Sequence, residues 1–152
     1  MKSTPLALVA GVLLLGSSAA TNTASAQAST RAYREGPVMV VSYVRTKPGM
    51  FDRYMEYLNT GYKANLEAEK SAGIVTDYAI YTSDPRTPAD HDIMLVVTYK
   101  NWGALDNLQD RTDAVSNRVL QNTAQQRSRQ FIDRGSMREV LGTRTYQQLY
   151  LK

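Results

Sequence analysis

A single histidine, a single tryptophan and ten tyrosines carry most of the chemical options of this chain, which contains no cysteine. His91 and Trp102 stand at the two ends of one stretch, HDIMLVVTYKNW. A histidine is the natural proton shuttle near neutral pH. His91, however, belongs to Ser83 to Asp92 (SDPRTPADHD), where two prolines forbid both helix and ladder strand, so it reads as an exposed connector residue. Asp84, Asp90 and Asp92 in the same connector could gather a hard cation, but their spacing matches no calcium loop and the prolines interrupt it. They read as solvated acids, and no metal is expected. No G-x-S-x-G string is present, and one histidine in a loop makes a Ser-His-Asp set a poor reading. Without cysteine there are no disulfides, thiol nucleophiles, thiolate metal sites or iron–sulfur clusters.

The aromatic residues are harder to set aside. Tyr43, Tyr54, Tyr62, Tyr99 and Trp102 fall on predicted inner faces, and with Ser42 or Thr98 they could line an apolar cleft with a few polar handles. These five are the candidate ligand-binding residues, for a small hydrophobic or aromatic molecule; no catalytic residue is assigned. The competing reading is that the same rings fill a core, with Trp102 stapling a helix onto a sheet.

The elements that would position them follow from periodicity. Val38 to Arg45 (VMVVSYVR) is a strand apolar on both faces, and Thr46 to Gly49 (TKPG) turns the chain. Phe51, Tyr54, Leu58, Tyr62 and Leu66 recur every three or four residues and predict a long helix ending at Ser71-Ala72-Gly73. Gly61 sits inside it at a cost of about 1 kcal/mol relative to alanine, which only close approach of a neighbour would explain. Ile74 to Tyr81 (IVTDYAIY) and Ile93 to Tyr99 (IMLVVTY) are the second and third strands. Asn101 caps a second helix with Trp102, Leu105, Leu108, Val115 and Val119 on its inner stripe. Asn122 to Arg134 is a polar helix, and Thr143 to Leu151 (TRTYQQLYL) the last strand.

The order strand, helix, strand, strand, helix, strand is the ferredoxin-like βαββαβ arrangement, an α+β fold with an antiparallel sheet and its helices on one face. A short likeness between VSYVRTKPGMFD and VTYKNWGALD supports two related halves. Strands one and three are expected at the centre, parallel to each other. Alternation groups Val41 and Tyr43 with Ile93, Leu95, Val97 and Tyr99, and sets them against Val38, Val40, Val44, Met94 and Val96. Either set leaves apolar side chains on the far face, and leaving about five of these in water would forfeit roughly 1.5–3 kcal/mol each. A second copy packed face to face by two-fold symmetry is the simplest cover, so a homodimer is expected.

The N-terminus sets the compartment. Met1-Lys2, an apolar run at Leu6 to Leu15 and the small residues Ala24-Ser25-Ala26 have the layout of a secretory signal peptide, and the run is far shorter than the roughly 20 residues of a membrane span. Residues 1–26 are therefore expected to be removed, residues 27–36 to form a disordered tether, and residues 37–152 to form a single domain. Loss of Lys2 leaves 17 Lys and Arg against 14 Asp and Glu, a mature charge of +3. The C-terminal third holds Arg111, Arg118, Arg127, Arg129, Arg134, Arg138 and Arg144 against Asp113, Asp133 and Glu139. In a periplasmic or secreted protein that surplus is a solvated helical face, or a weak attraction to anionic envelope surfaces, rather than a nucleic-acid site.

The pieces VMVVSYVRTKPGMFDRYMEYL, AGIVTDYAIYTSDP and IMLVVTYKNWGALDNL resemble the dimeric α+β barrel superfamily, which includes antibiotic-biosynthesis-type monooxygenases, haem-degrading monooxygenases and NIPSNAP-like proteins. The resemblance runs from Pro37 to Leu120, most like exported members of unassigned activity, and implies the fold and the homodimer. It implies for the haem-degrading branch an axial histidine on the second helix, an asparagine near the first strand and a tryptophan near the third; Trp102 lies close to the last of these, but the second helix has no histidine and strand one no asparagine, and no cofactor is expected. It implies for cofactor-free members the oxidation of phenolic or quinol-like compounds, the alternative to a binding or structural role. Mass spectrometry of the protein from its own host should find a mature chain beginning at Gln27; an intact Met1 would refute export by cleavage.

Overall fold

The computed structural model describes residues 31–119 and 123–152; residues 1–30, with the expected signal segment and residues 27–30 of the expected tether, lie outside it. Four strands, β1 (Tyr33–Thr46), β2 (Asp77–Thr82), β3 (Ile93–Tyr99) and β4 (Arg138–Leu151), form one sheet in the order β2-β3-β1-β4. This is the ferredoxin-like α+β topology expected from the element order. β1 and β3 are central as expected, but they run antiparallel, not parallel. The helical crossover makes β1 and β2 the parallel pair, and the connector at 83–92 turns the chain straight back into β3, which separates them.

The register also corrects the grouping of side chains. Val38 pairs with Tyr99, Val40 with Val97 and Val44 with Ile93, so these residues share the helix-covered face with Leu95. Val41 and Tyr43 pair with Val96 and Met94 and share the other face with Met39 and Thr98. Period two fixes alternation within a strand but not which set of one strand faces which set of its neighbour.

The long helix is built from α1 (Phe51–Tyr57), a π-helical turn (Leu58–Tyr62) and α2 (Lys63–Ser71), continuous because every joint keeps right-handed helical angles. Gly49 enters it at φ 73° and Gly73 leaves it at φ 70°, where a side chain would strain the backbone. The turn ends with Gly73 N–H on the Lys70 carbonyl and Ile74 N–H on that of Glu69. Ile74 and Val75 are therefore not strand but buried plugs in the turn, and β2 starts only at Asp77. Their branched side chains meet the demand of a core position as well as that of a strand.

The helices pack on one face in two connected clusters. Val44, Tyr54, Leu58, Ile93, Leu95 and Met137 form one; Leu66, Ile74, Val75, Tyr99 and Val115 form the other; Tyr62 packs against both. The second helical segment opens as a 3₁₀ turn (Trp102–Leu105), capped by Asn101 Oδ1 accepting from Ala104 N–H at 3.1 Å, before α3 (Leu108–Val119) begins. Trp102 thus falls outside the inner stripe: it is 49 % exposed and donates its Nε1–H to Gln147 Oε1 of β4 at 3.1 Å. Leu105 and Leu108 pack inward and Val115 is buried, as the stripe predicts. α4 (Ala124–Met137) starts with a capping box in which Thr123 and Gln126 each accept the other's backbone N–H.

Strands β1 and β4 are longer than their sequence patterns suggest. Their pairing runs from Tyr33 opposite Leu151 to Thr46 opposite Arg138, so Tyr33 to Gly36 of the expected tether is strand. At Gly36 a Cβ would lie 2.6 Å from the Tyr150 ring and 3.0 Å from the Gln148 carbonyl, beside a register shift between Glu35 and Val38. No buried cluster forms on the far face among the described residues, and β4 leaves Val140, Leu141, Tyr146, Leu149, Tyr150 and Leu151 exposed along the sheet edge. Leu58, 1 % exposed at the centre of the first cluster, sets a stability test. Leu58→Ala should cost about 2–5 kcal/mol in denaturant unfolding; a loss below 1 kcal/mol would place the core elsewhere.

Candidate functional site

The described residues enclose a cavity of about 250 Å³ between α2, α3 and α4, lined by Tyr57, Tyr62, Asn65, Leu66, Glu69, Thr112, Ser116, Gln130 and Arg134. Its position depends on the π turn. Thr60 Oγ1 donates back to the Glu56 carbonyl at 2.8 Å and Asn65 Nδ2 to the Gly61 carbonyl at 2.7 Å, so two side chains compete for helix acceptors around the widened turn. A Cβ on Gly61 would sit 3.2 Å from Tyr57 Cε2, so the glycine admits the ring that forms one wall. This is the close approach that the cost of a mid-helix glycine required.

Arg134 reaches this wall from α4. Its Nη1 donates to Tyr57 Oη at 3.0 Å, and the guanidinium lies over the Tyr57 and Phe131 rings at 5.9 and 5.8 Å. Its Nε is buried without a hydrogen-bond partner, and no carboxylate among the described residues pairs with it. Glu69 also lines the cavity, and burial holds its carboxyl above the ordinary glutamate range. Burial, reinforced by Tyr54, Tyr57, Tyr99 and Glu69, also pushes the Tyr62 phenol up, so it is a neutral hydroxyl at any physiological pH. Ser116 and Asn65 side chains bond each other at 3.4 Å, tying α3 to α2.

The five residues singled out in the sequence are not brought together. Tyr62 lines the cavity. Tyr54 is fully buried, its phenol pushed up to about 12 by burial, and Tyr99 is buried in the second cluster; both sit in packed core. Tyr43 lies on the far face of the sheet and Trp102 at its edge. Tyr57, Glu69 and Arg134 were missed. The clue was Gly61 with a tyrosine on either side at 57 and 62, whereas Arg134 belongs to a run whose direction the sequence does not give. Of that run, Arg134 and Arg138 face inward, Arg138 over the Tyr54 ring at 5.6 Å, and Arg111 donates to the Ala104 carbonyl at 2.9 Å. These three are not part of a freely solvated face.

A second, open depression of about 520 Å³ lies against the far face, lined by Tyr43, Ala89, Asp90, His91, Leu141, Gly142, Thr143 and Arg144. His91 is half-buried there, its ring edge-on to Tyr43 at 4.9 Å between centroids. Its connector is docked rather than free. Asp92 accepts from Thr46 N–H at 3.0 Å and from the Thr46 hydroxyl, and Asp90 accepts from Arg86 and Thr87 N–H, which holds its carboxyl below the usual range. Asp90 and Asp92 thus shape the loop. Tyr43 and Tyr146 hydroxyls meet at 2.8 Å, which raises Tyr43 and lowers Tyr146, the latter aided by Arg144.

Among solved structures, HapK from Hahella chejuensis is similar at 12 % identity over 73 % of this chain and 91 % of that one, with a TM-score of 0.49. A dimeric ferredoxin-like protein from an uncultured marine organism is similar at 11 % identity over 78 % and 90 %, with a TM-score of 0.47. No family model matches the chain, and no curated protein does. The ferredoxin-like assignment rests on the chain's own strand order and register.

Glu69 gives the site a pH signature. Its folded-state pKa is raised, so its favourable contribution is complete below the unfolded glutamate value and is lost as pH rises through the folded one. Glu69→Gln should therefore gain thermal stability relative to the parent as pH rises from about 4 to 8. A difference that stays constant or shrinks over that range would contradict a strained carboxylate.

Proposed function

We propose that this is an exported protein that binds a small hydrophobic or aromatic molecule and works as a homodimer of the dimeric α+β barrel type. The observation that carries the binding role is the cavity between the helices, where the rings of Tyr57 and Tyr62 and the side chain of Leu66 meet polar groups of Glu69 and Arg134. An apolar wall with a few convergent polar groups is the usual make-up of a small-molecule site. Close packing around Tyr54 and Tyr99 supports the choice of this cavity over a cleft against the sheet.

The homodimer is supported by the far face of the sheet. Met39, Val41, Met94 and Val96 form an apolar strip there, no helix of the described chain packs on it, and exposed Tyr81 and Tyr146 flank it on the two edge strands. Two such faces related by a two-fold axis cover each other. Export rests on the apolar run Leu6 to Leu15 and the small residues before Gln27. A structural role without ligand shares this architecture. The oxygenase reading is favoured by one feature, the Tyr43–Tyr146 hydroxyl pair, in which the hydrogen bond to Tyr43 and the nearby Arg144 hold the Tyr146 phenol below its ordinary range while His91 packs edge-on to Tyr43. Oxygen uptake with candidate quinols tests it; no uptake removes it.

Native mass spectrometry of the mature protein from its own host reads oligomer and retained ligand together. The expected result is a dimer carrying a small molecule. Val96→Asp, which sets a charge on the far face at β3, should yield a folded monomer by analytical ultracentrifugation; a parent that is monomeric at micromolar concentration refutes the dimer.

A further inference from the structure

We propose that the cavity between the helices selects an aromatic carboxylate, with Arg134 receiving the carboxylate and Glu69 taking a hydrogen-bond donor at the opposite end of the ligand. This rests on the small-molecule reading above and narrows it to a chemical class. The guanidinium of Arg134 is only partly exposed, is clamped by Tyr57 Oη at 3.0 Å and by two aromatic rings, and has no carboxylate partner among the described residues. A cation withdrawn from water without a counter-ion is costly, and a planar guanidinium is shaped to bind a carboxylate through two parallel bonds. Glu69 is not that counter-ion. It forms no ion pair, and its carboxyl is raised by burial with no arginine opposing the shift.

The remaining groups define the body of the ligand. Tyr62 lines the cavity with a phenol kept neutral by burial, and Leu66 and the Tyr57 ring supply apolar walls. At about 30 Å³ per water, the volume holds about eight water-sized units, close to one aromatic ring with a carboxylate. A ligand with an anion at one end, a flat apolar middle and a hydroxyl at the other matches these groups in turn. Tyr57 acts as a positioning residue: it orients Arg134 and is itself given room by Gly61.

Calorimetric titration of the full mature protein with benzoate, 4-hydroxybenzoate and neutral benzyl alcohol tests this. Benzoate should bind at least tenfold more tightly than benzyl alcohol, and 4-hydroxybenzoate more tightly still. Arg134→Gln should bring the affinity ratio of benzoate to benzyl alcohol close to one, and Glu69→Gln should bring the ratio of 4-hydroxybenzoate to benzoate close to one. Arg134→Lys, which keeps the charge without the fork, should retain part of the preference and serves if Arg134→Gln does not fold. Equal binding of benzoate and benzyl alcohol, or a preference that survives loss of the arginine, overturns the carboxylate assignment and leaves the small-molecule reading standing. Failure of all three to bind at about 10 mM overturns the aromatic-carboxylate assignment, and absence of any retained small molecule in native mass spectrometry of the host-purified protein overturns the small-molecule reading as well.

Discussion

Tyr54, Leu58 and Leu66 of the long helix press into the sheet face built by Val44, Ile93, Leu95 and Tyr99, and the remaining architecture is arranged around that contact. It consumes one face of β1 and β3 completely. The other face is equally apolar in composition and has no helix, because every helical segment that contributes to a core cluster sits on the same side. A split β-α-β topology leaves this asymmetry unavoidable: both crossovers pass over one face. The long β1–β4 ribbon then carries the apolar surface outward along an edge strand, where uncovered backbone invites pairing.

The same contact explains why the site lies where it does. With Tyr54 and Tyr99 packed tightly between helix and sheet, no space remains there for a guest. Space opens one layer out, where the π turn separates Tyr57 from Tyr62 and α4 lays Arg134 against Tyr57. A π turn costs regular hydrogen-bond geometry, and here the loss is offset locally by Thr60 and Asn65 side chains. Strain of this kind, a mid-helix glycine and a cation without an anion converge on one small volume, whereas the rest of the helical layer follows ordinary packing rules.

The connector at 83–92 illustrates how composition can mislead. Proline and aspartate suggest a solvated loop, yet the aspartates act on backbone: Asp92 fastens the loop to Thr46 and Asp90 closes its turn. Trp102 misleads in the opposite direction. Its bulk suggests a core staple, but the 3₁₀ turn holds it at the surface, where its indole N–H reaches the edge strand. In both cases the residue type indicated which interactions were available and the local backbone chose among them.

The elements and their order follow from local pattern, because hydrophobic period, glycine at Gly49 and Gly73, and proline in the connector act within a few residues of themselves. β3 at Ile93–Tyr99 and the helix start at Phe51 were legible for that reason. The sequence also contained the anomaly at Gly61 that marks the cavity. Only the tertiary structure decided that β1 and β3 run antiparallel, that Tyr43 and Tyr99 lie on opposite faces, that Ile74 and Val75 plug a turn, and that Arg134 meets Tyr57 across 77 positions of chain. Register and helix rotation are set by contacts between residues distant in sequence, where one residue of slip exchanges inside for outside, and no local pattern records that choice.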